Sequence, residues 1–180
     1  MTREELIGNL TKPLTAEEIE WVITNASDNW TTIAPYTDAR AIMNRLDAYV
    51  GPFNWRVSYR EAQIGEIRGV IATLEIRDPL TQEWVAKEDG APPMGRTEER
   101  AETAFKGGIS AALKRAAAAW GIGRELYFYP RVMIRGKHRY IPYKVLNRLK
   151  GLPEAFAAGK PLPEVIYLEE DGTEAKRSVA

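Results

Sequence analysis

The 180-residue chain has no cysteine, one histidine and a formal net charge of zero. Without thiols it can form no disulfide scaffold, no cysteine-ligated zinc site and no thiolate nucleophile. Such a composition suits a reducing compartment. The lone His138 stands in a basic run, Lys137-His138-Arg139, a poor setting for a metal ligand or a Ser-His pair. No apolar run approaches the roughly 20 residues that cross a bilayer. The opening MTREELIGNL is too polar and acidic to read as a secretory signal. The expectation is a soluble cytoplasmic protein with no membrane partner. Its length suits one domain with a sizeable core, 1–150, followed by an extension or tail, 151–180.

The zero net charge conceals a segregation. Residues 96–150 hold thirteen Lys or Arg against four acids (Glu98, Glu99, Glu102 and Glu125), a local charge of +9, and the remainder carries −9. A basic block inside a balanced chain is the electrostatic footprint of a polyanion-binding surface. The competing account pairs these cations with the acidic remainder, within or between subunits. Exposed ion pairs contribute little and rarely need such segregation, which favours the polyanion.

Periodicity outlines an α+β fold. Tyr36 to Tyr49 reads as a helix, capped by Thr37 or Asp38, with Ile42, Leu46 and Tyr49 at helical spacing and Gly51-Pro52 at its end. The period then changes. Trp55, Val57 and Tyr59 alternate with Arg56, Ser58 and Arg60, Val70 to Arg77 is rich in β-branched residues, and Glu83 to Ala86 supplies a third strand. A turn is expected at Gly65-Glu66 and a loop over 87–95. Short connections predict an antiparallel meander. Residues 98–120 form the longest predicted element, a helix of about 34 Å. Thr97 is its expected N-cap, Glu98 and Glu99 favour its dipole, and Gly121 stops it. Phe105, Ile109, Ala112, Leu113, Ala116 and Trp120 make the apolar stripe expected to pack on the meander. Farther on, Leu126 to Tyr129 reads as a strand or edge segment, Val145 to Leu149 as a short helix and Val165 to Leu168 as a strand. Residues 1–35 are mixed, with apolar–polar alternation around Ile19, Trp21 and Val22.

The chemistry concentrates in the long helix. Lys114 and Arg115 lie off the stripe, flanked by Gly107, Ala111 and Ala118. Small residues at such positions let a DNA backbone or a neighbouring subunit approach closely. Alanine is equally the best helix former, so propensity alone accounts for them as well. Lys106, Arg124, Arg131, Arg135, Lys137, Arg139 and Lys144 extend the positive surface. Tyr127, Tyr129, Tyr140 and Tyr143 are interleaved with these cations, as base-stacking residues would be. Tyrosines in strands are more often core or interface residues. Catalysis finds little support. Glu75, Asp78 and Glu83, followed by Lys87, offer a metal-dependent nuclease site only without tight spacing and with Pro79 interrupting. Gly121-Ile122-Gly123 follows a helix instead of opening one, which excludes a nucleotide-binding fingerprint. No cofactor is expected.

Three motifs, taken in order, carry a family likeness. Tyr36-Thr37-Asp38-Ala39-Arg40 is followed by Arg45-Leu46-Asp47 and Asn54-Trp55. Leu113-Lys114-Arg115-Ala116 precedes Trp120-Gly121, and Gly121-Ile-Gly-Arg-Glu-Leu-Tyr127 completes the set. Together, over about Tyr36 to Pro130, they resemble the Rad52/22-type single-strand annealing family, in particular its bacterial DdrA-like and phage members. The resemblance implies a sheet-and-helix protomer of an oligomeric ring that holds single-stranded DNA in a positive groove and anneals complements in recombination and repair without catalysis. It also implies a nucleoid-associated protein of a bacterial or phage-infected cell, with a processing exonuclease or a single-strand-binding protein as candidate partners. Lys114, Arg115 and Arg40 map onto the family's phosphate-holding residues. Eukaryotic members have a further arginine where this chain has Ala118, a loss that Arg124 or the 131–139 run could offset. Their C-terminal partner-binding region has no counterpart here. A passive, end-protecting single-strand binder is the alternative.

Overall fold

A computed structural model describes residues 1–93 and 101–176. In chain order its elements are α1 (Arg3–Leu10), β1 (Ile19–Ala26), β2 (Trp30–Thr37), α2 (Ala39–Tyr49), β3 (Trp55–Ile64), β4 (Ile67–Arg77), β5 (Trp84–Ala91), α3 (Ala101–Trp120), a 3-10 turn (Arg124–Phe128), β6 (Arg131–Arg135), α4 (Tyr143–Leu149), α5 (Leu152–Ala157) and β7 (Val165–Leu168). The architecture is α+β. Two compact units share the chain: Met1–Lys12 with Thr37–Arg124, and Pro13–Tyr36 with Glu125–Ala180.

In the first unit, β3, β4 and β5 form the antiparallel meander. Strands β3 and β4 pair from Trp55↔Ile76 to Ile64↔Ile67 across a two-residue turn. Gly65 takes the positive φ (60°) that such turns demand. Strand β5 runs to Ala91, farther than the loop expected over 87–95, because β4 pairs with it from Arg77↔Trp84 to Val70↔Ala91. Gly90 marks a close approach here and not a loop, since a Cβ would meet the Val70 carbonyl oxygen at 3.2 Å. One sheet face presents Ala72, Leu74 and Ile76, all buried, to a cluster completed by Leu6 and Leu10 of α1, Ile42 and Leu46 of α2, and Ala112, Leu113, Ala116 and Ala117 of α3.

The buried side of α3 differs from the expected stripe. Phe105 is 59% exposed, and the buried contact is made by alanines and Leu113. Small side chains let α3 lie close on the sheet, which a phenylalanine stripe would prevent. Ala111, expected to face outward, packs against the same cluster. The predicted cap Thr97 and the first-turn residues Glu98 and Glu99 lie outside the described residues.

Gly121 ends α3 at φ 102°. Its amide donates to the Ala118 carbonyl at 3.0 Å, and the Ile122 amide donates to Ala117 at 3.1 Å. This is a Schellman closure, with buried Ile122 anchoring the exit. Helix α1 starts with a reciprocal cap in which the Glu5 amide donates to Thr2 Oγ1 and Glu5 Oε2 accepts from the Thr2 amide. The Arg3 guanidinium ties this helix to Asp78, with Nε–Oδ2 at 2.9 Å.

The second unit is a four-stranded sheet of order β1-β2-β6-β7. Strand β2 pairs antiparallel with β6 from Trp30↔Arg135 to Ile33↔Val132, and β6 pairs parallel with β7. On one face Ile33, Val132, Ile134 and Leu168 are buried against Val145 and Leu149 of α4. The strand expected at Leu126–Tyr129 is instead part of the 3-10 turn and its exit. Leu126 and Tyr129 turn into a small cluster with Leu14, Ile19 and Phe156, while the buried Glu125 carboxylate accepts the Leu14 amide at 2.5 Å. That bond, between residues far apart in sequence, takes the place of a strand ladder.

Two outcomes check this account. Gly121→Ala forces a side chain into left-handed backbone and against Thr11, where a Cβ would sit 2.7 Å from Cγ2. A stability loss of at least about 1 kcal/mol is expected, read as a lowered thermal midpoint; an unchanged midpoint contradicts it. The Asp78 carboxyl is held down at about 2, first by the Arg3 guanidinium and then by the Leu80 amide. A depressed carboxyl stabilises the fold fully above its ordinary value of 3.8 and ceases to do so as pH falls through about 2. Asp78→Asn is therefore expected to be less stable than wild type at neutral pH and to converge with it in acid. A difference that stays constant across that range rules the linkage out.

Candidate nucleic-acid interface

The expected cations divide between the units. Arg40 opens α2, whose first turn is capped by Asp38 accepting the Arg40 amide at 3.3 Å. Its exposed guanidinium makes only a loose 3.8 Å pair with Asp38. Lys106, Lys114 and Arg115 stand on α3, which packs against α2 through the shared core. Lys106 makes an exposed i,i+4 pair with Glu102 at 2.7 Å. Pairs of that kind are worth a few tenths of a kcal/mol and exchange readily with other anions. Lys114 is half-buried. Arg115 Nε reaches Asp89 Oδ1 on β5 at 3.1 Å, with the two side chains 52% and 37% exposed. Asp89 is thus a partner of Arg115 that sequence reasoning missed, because its segment reads as loop.

Arg124 has a structural engagement. Its Nε donates to the Ala118 carbonyl at 2.9 Å and its Nη2 to Ala119 at 2.8 Å. Lys87 Nζ donates to the same Ala119 carbonyl at 2.9 Å and lies 4.6 Å from the Trp120 ring centroid. Two cations therefore meet the negative end of the α3 dipole at its last-turn carbonyls.

In the second unit Arg131 and Arg135 alternate on β6. Arg131 is exposed at the strand start. Arg135 is held on three sides: Nε to Glu169 at 2.9 Å, Nη2 to the Lys176 carbonyl at 2.7 Å, and its Cζ 4.8 Å from the Trp30 ring centroid. The following loop is fixed by Thr31, whose buried hydroxyl donates to the Gly136 carbonyl and accepts the His138 amide, each at 2.8 Å. It presents Lys137, paired with Asp28 at 3.1 Å, and Arg139, whose Cζ lies 5.8 Å from the Tyr140 centroid.

The tyrosines separate by burial. Tyr129 is a core residue, and its phenol is pushed up to about 12 by desolvation and then by Glu125. Tyr127, Tyr140 and Tyr143 are each at least 70% exposed. Glu75 is committed to a two-point pair with Arg56 and Asp78 to Arg3. Among the described residues no three His, Asp or Glu side chains gather as a metal site, and no helix is long and apolar enough to cross a membrane.

The profile of the Rad52/22 family double-strand break repair proteins matches residues 2–142, which include every cation named above from Arg40 to Arg139. The chain belongs to this family. A Rad52/22 relative in Deinococcus radiodurans, single-stranded DNA-binding protein DdrA, is 32% identical over 133 residues. That alignment covers 73% of this chain and 59% of the relative, so the Rad52/22 chain described here spans less than two thirds of its relative's length.

If the Lys114–Arg115 pair meets a polyanion, Asp89 weakens it by neutralising Arg115. Asp89→Asn is expected to elute from heparin at higher salt than wild type, and Arg115→Ala at lower salt. Identical elution of all three proteins excludes this pair from polyanion contact.

Proposed function

We propose that this Rad52/22 chain binds single-stranded DNA and anneals complementary strands without ATP in double-strand break repair, acting as an oligomeric ring. The observation that carries the reading is the family match over 2–142, which places the Lys114–Arg115 helix inside the matched region. The relative's name, a single-stranded DNA-binding protein, supports the substrate class. Lys114, Arg115 and Arg40 are the proposed principal phosphate contacts, extended by Lys106, Arg124, Arg131, Lys137 and Arg139. Arg135 enters this set as a buttress, because its guanidinium is already engaged. Large exposed apolar side chains such as Phe53, Ile64, Ile67 and Phe128 support burial against further copies of the chain.

The mechanism follows from the requirements of pairing. A strand must be held extended by its phosphates, with base edges free to test a complement. Lysine and arginine neutralise the repulsion between two polyanions and release their counterions, after which pairing is downhill and needs no nucleotide hydrolysis. A ring multiplies weak phosphate contacts along one strand.

A passive single-strand binder is the second reading, favoured by the relative's name, which states binding alone. Adding a complement to the protein-coated strand separates the two, because a passive coat slows pairing and an annealer speeds it. Lys114→Ala with Arg115→Ala is expected to lower annealing of complementary oligonucleotides at least tenfold while light scattering shows the oligomer intact. Unimpaired annealing by this double variant removes the site, and a monomeric wild type removes the ring.

A further inference from the structure

The four-stranded sheet of the second unit has two unlike faces. Ile33, Val132, Ile134 and Leu168 are fully buried and point to α4. Strand alternation sends Arg131, Met133, Arg135 and Tyr167 to the other side, with Trp30 beside Arg135 in the β2–β6 register. None of these outer residues is buried. They form an ordered cluster. The rings of Trp30 and Tyr167 meet edge to face, with centroids 5.3 Å apart and an interplanar angle of 71°. The Arg135 guanidinium lies on the Trp30 ring, locked there by Glu169 and the Lys176 carbonyl. Fixing two aromatic side chains on a partly exposed surface contributes nothing to the core on the opposite face.

We infer that this outer sheet face is a base-stacking platform for single-stranded nucleic acid, with Trp30 and Tyr167 as the stacking rings. The inference rests on the single-strand reading above and assigns the protein a second kind of contact. The chemistry is complementary on two counts. Bases of any sequence offer π faces to rigid aromatic side chains, and a strand lying along a sheet can stack successive bases on them. The cations that such a strand needs stand along the same strand and its exit loop: Arg131 at the start of β6, then Lys137 and Arg139. The Lys137–Asp28 pair is strongly exposed, 65% and 90%, and a phosphate can replace its carboxylate at little cost. Arg135 acts differently. Its engaged guanidinium backs the Trp30 ring and sets its tilt, so it is a positioning residue. Stacking covers base faces and leaves pairing edges in the open, so a strand on the platform remains readable by its complement.

Contacts of this type differ from phosphate contacts in their response to salt, and that difference supplies the test. Wild type, Trp30→Leu, Tyr167→Leu, Trp30→Phe and the Lys114→Ala/Arg115→Ala double variant are titrated with fluorescein-labelled oligo(dT) across a salt series. Each leucine variant is expected to bind about tenfold more weakly, the affinity lost with one stacked base, and to keep the wild-type salt slope. Trp30→Phe retains a ring and is expected to stay within about threefold of wild type. The Lys-Arg variant is expected to have a shallower slope. Leucine variants that bind like wild type, while the Lys-Arg variant loses affinity, overturn the platform and leave the proposed function standing. A wild type that does not bind oligo(dT) overturns both. Leucine variants that change oligomeric state by light scattering, with affinity per protomer unchanged, overturn the platform by assigning the face to a subunit contact. Irradiating wild type bound to 5-iodouracil-substituted oligo(dT) gives a readout independent of any variant's folding. Adducts on Trp30 or Tyr167 are expected, and adducts confined to other residues overturn the inference.

Discussion

The first unit depends on the contact between the alanine side of α3 and the inner face of β3–β5. Ala112, Ala116 and Ala117 are fully buried, and with Leu113 they bring the helix backbone close to Ala72, Leu74 and Ile76. That proximity is what lets residues of the sheet and of the helix share polar partners. Asp89 of β5 reaches Arg115, and Lys87 of β5 reaches the last turn of α3. The apolar contact and the charge pattern are therefore one construction. A bulkier stripe would lift the helix and separate both pairs. The glycine closure at Gly121 serves the same end by terminating α3 where Lys87 and Arg124 can meet its last-turn carbonyls.

Much of this unit was legible in the sequence because its signals are local. Alternation marked β3 and β4, Gly65 marked their turn, and Asp38 marked the start of α2. Where tertiary contacts decide, local signals mislead. Lys87-Glu88-Asp89-Gly90 reads as a loop by composition but is a strand because β4 pairs with it and Gly90 permits the approach. Phe105 reads as core by periodicity and is exposed, since the helix uses smaller residues to sit close. Leu126 to Tyr129 reads as extended, yet the buried Glu125 carboxylate, accepting the Leu14 amide from more than a hundred residues away in sequence, holds it in a turn. Helix α1 carried a readable cap, Thr2 with Glu5, that composition alone obscured.

The candidate interface was legible as a list of cations and illegible as a set of states. Sequence identifies Lys114, Arg115, Arg124 and Arg135 equally as positive. The structure shows that Arg124 is occupied by carbonyls, Arg135 by a carboxylate, a carbonyl and an indole, and Arg115 by Asp89. These differences depend on partners distant in the chain, which no spacing rule reports. The aromatic cluster on the outer sheet face was missed for the same reason: Trp30 and Tyr167 lie far apart in sequence and meet because β6 lies between their strands.

The order of strands in the second unit has a consequence for how the chain acquires its structure. Strand β2 takes β6 as its partner, and Thr31 and Gly136, bonded to each other, are 105 residues apart. During synthesis the β1–β2 hairpin emerges long before β6 and β7, and the whole of the meander and α3 is made in between. A two-stranded hairpin is marginal in water by itself, and closing so long a loop makes this sheet slow to form. One edge of the hairpin, carrying Trp30, Ile33 and Tyr36, therefore waits unpaired through most of translation. That interval is the point in the protein's life at which mispairing between nascent chains is most probable.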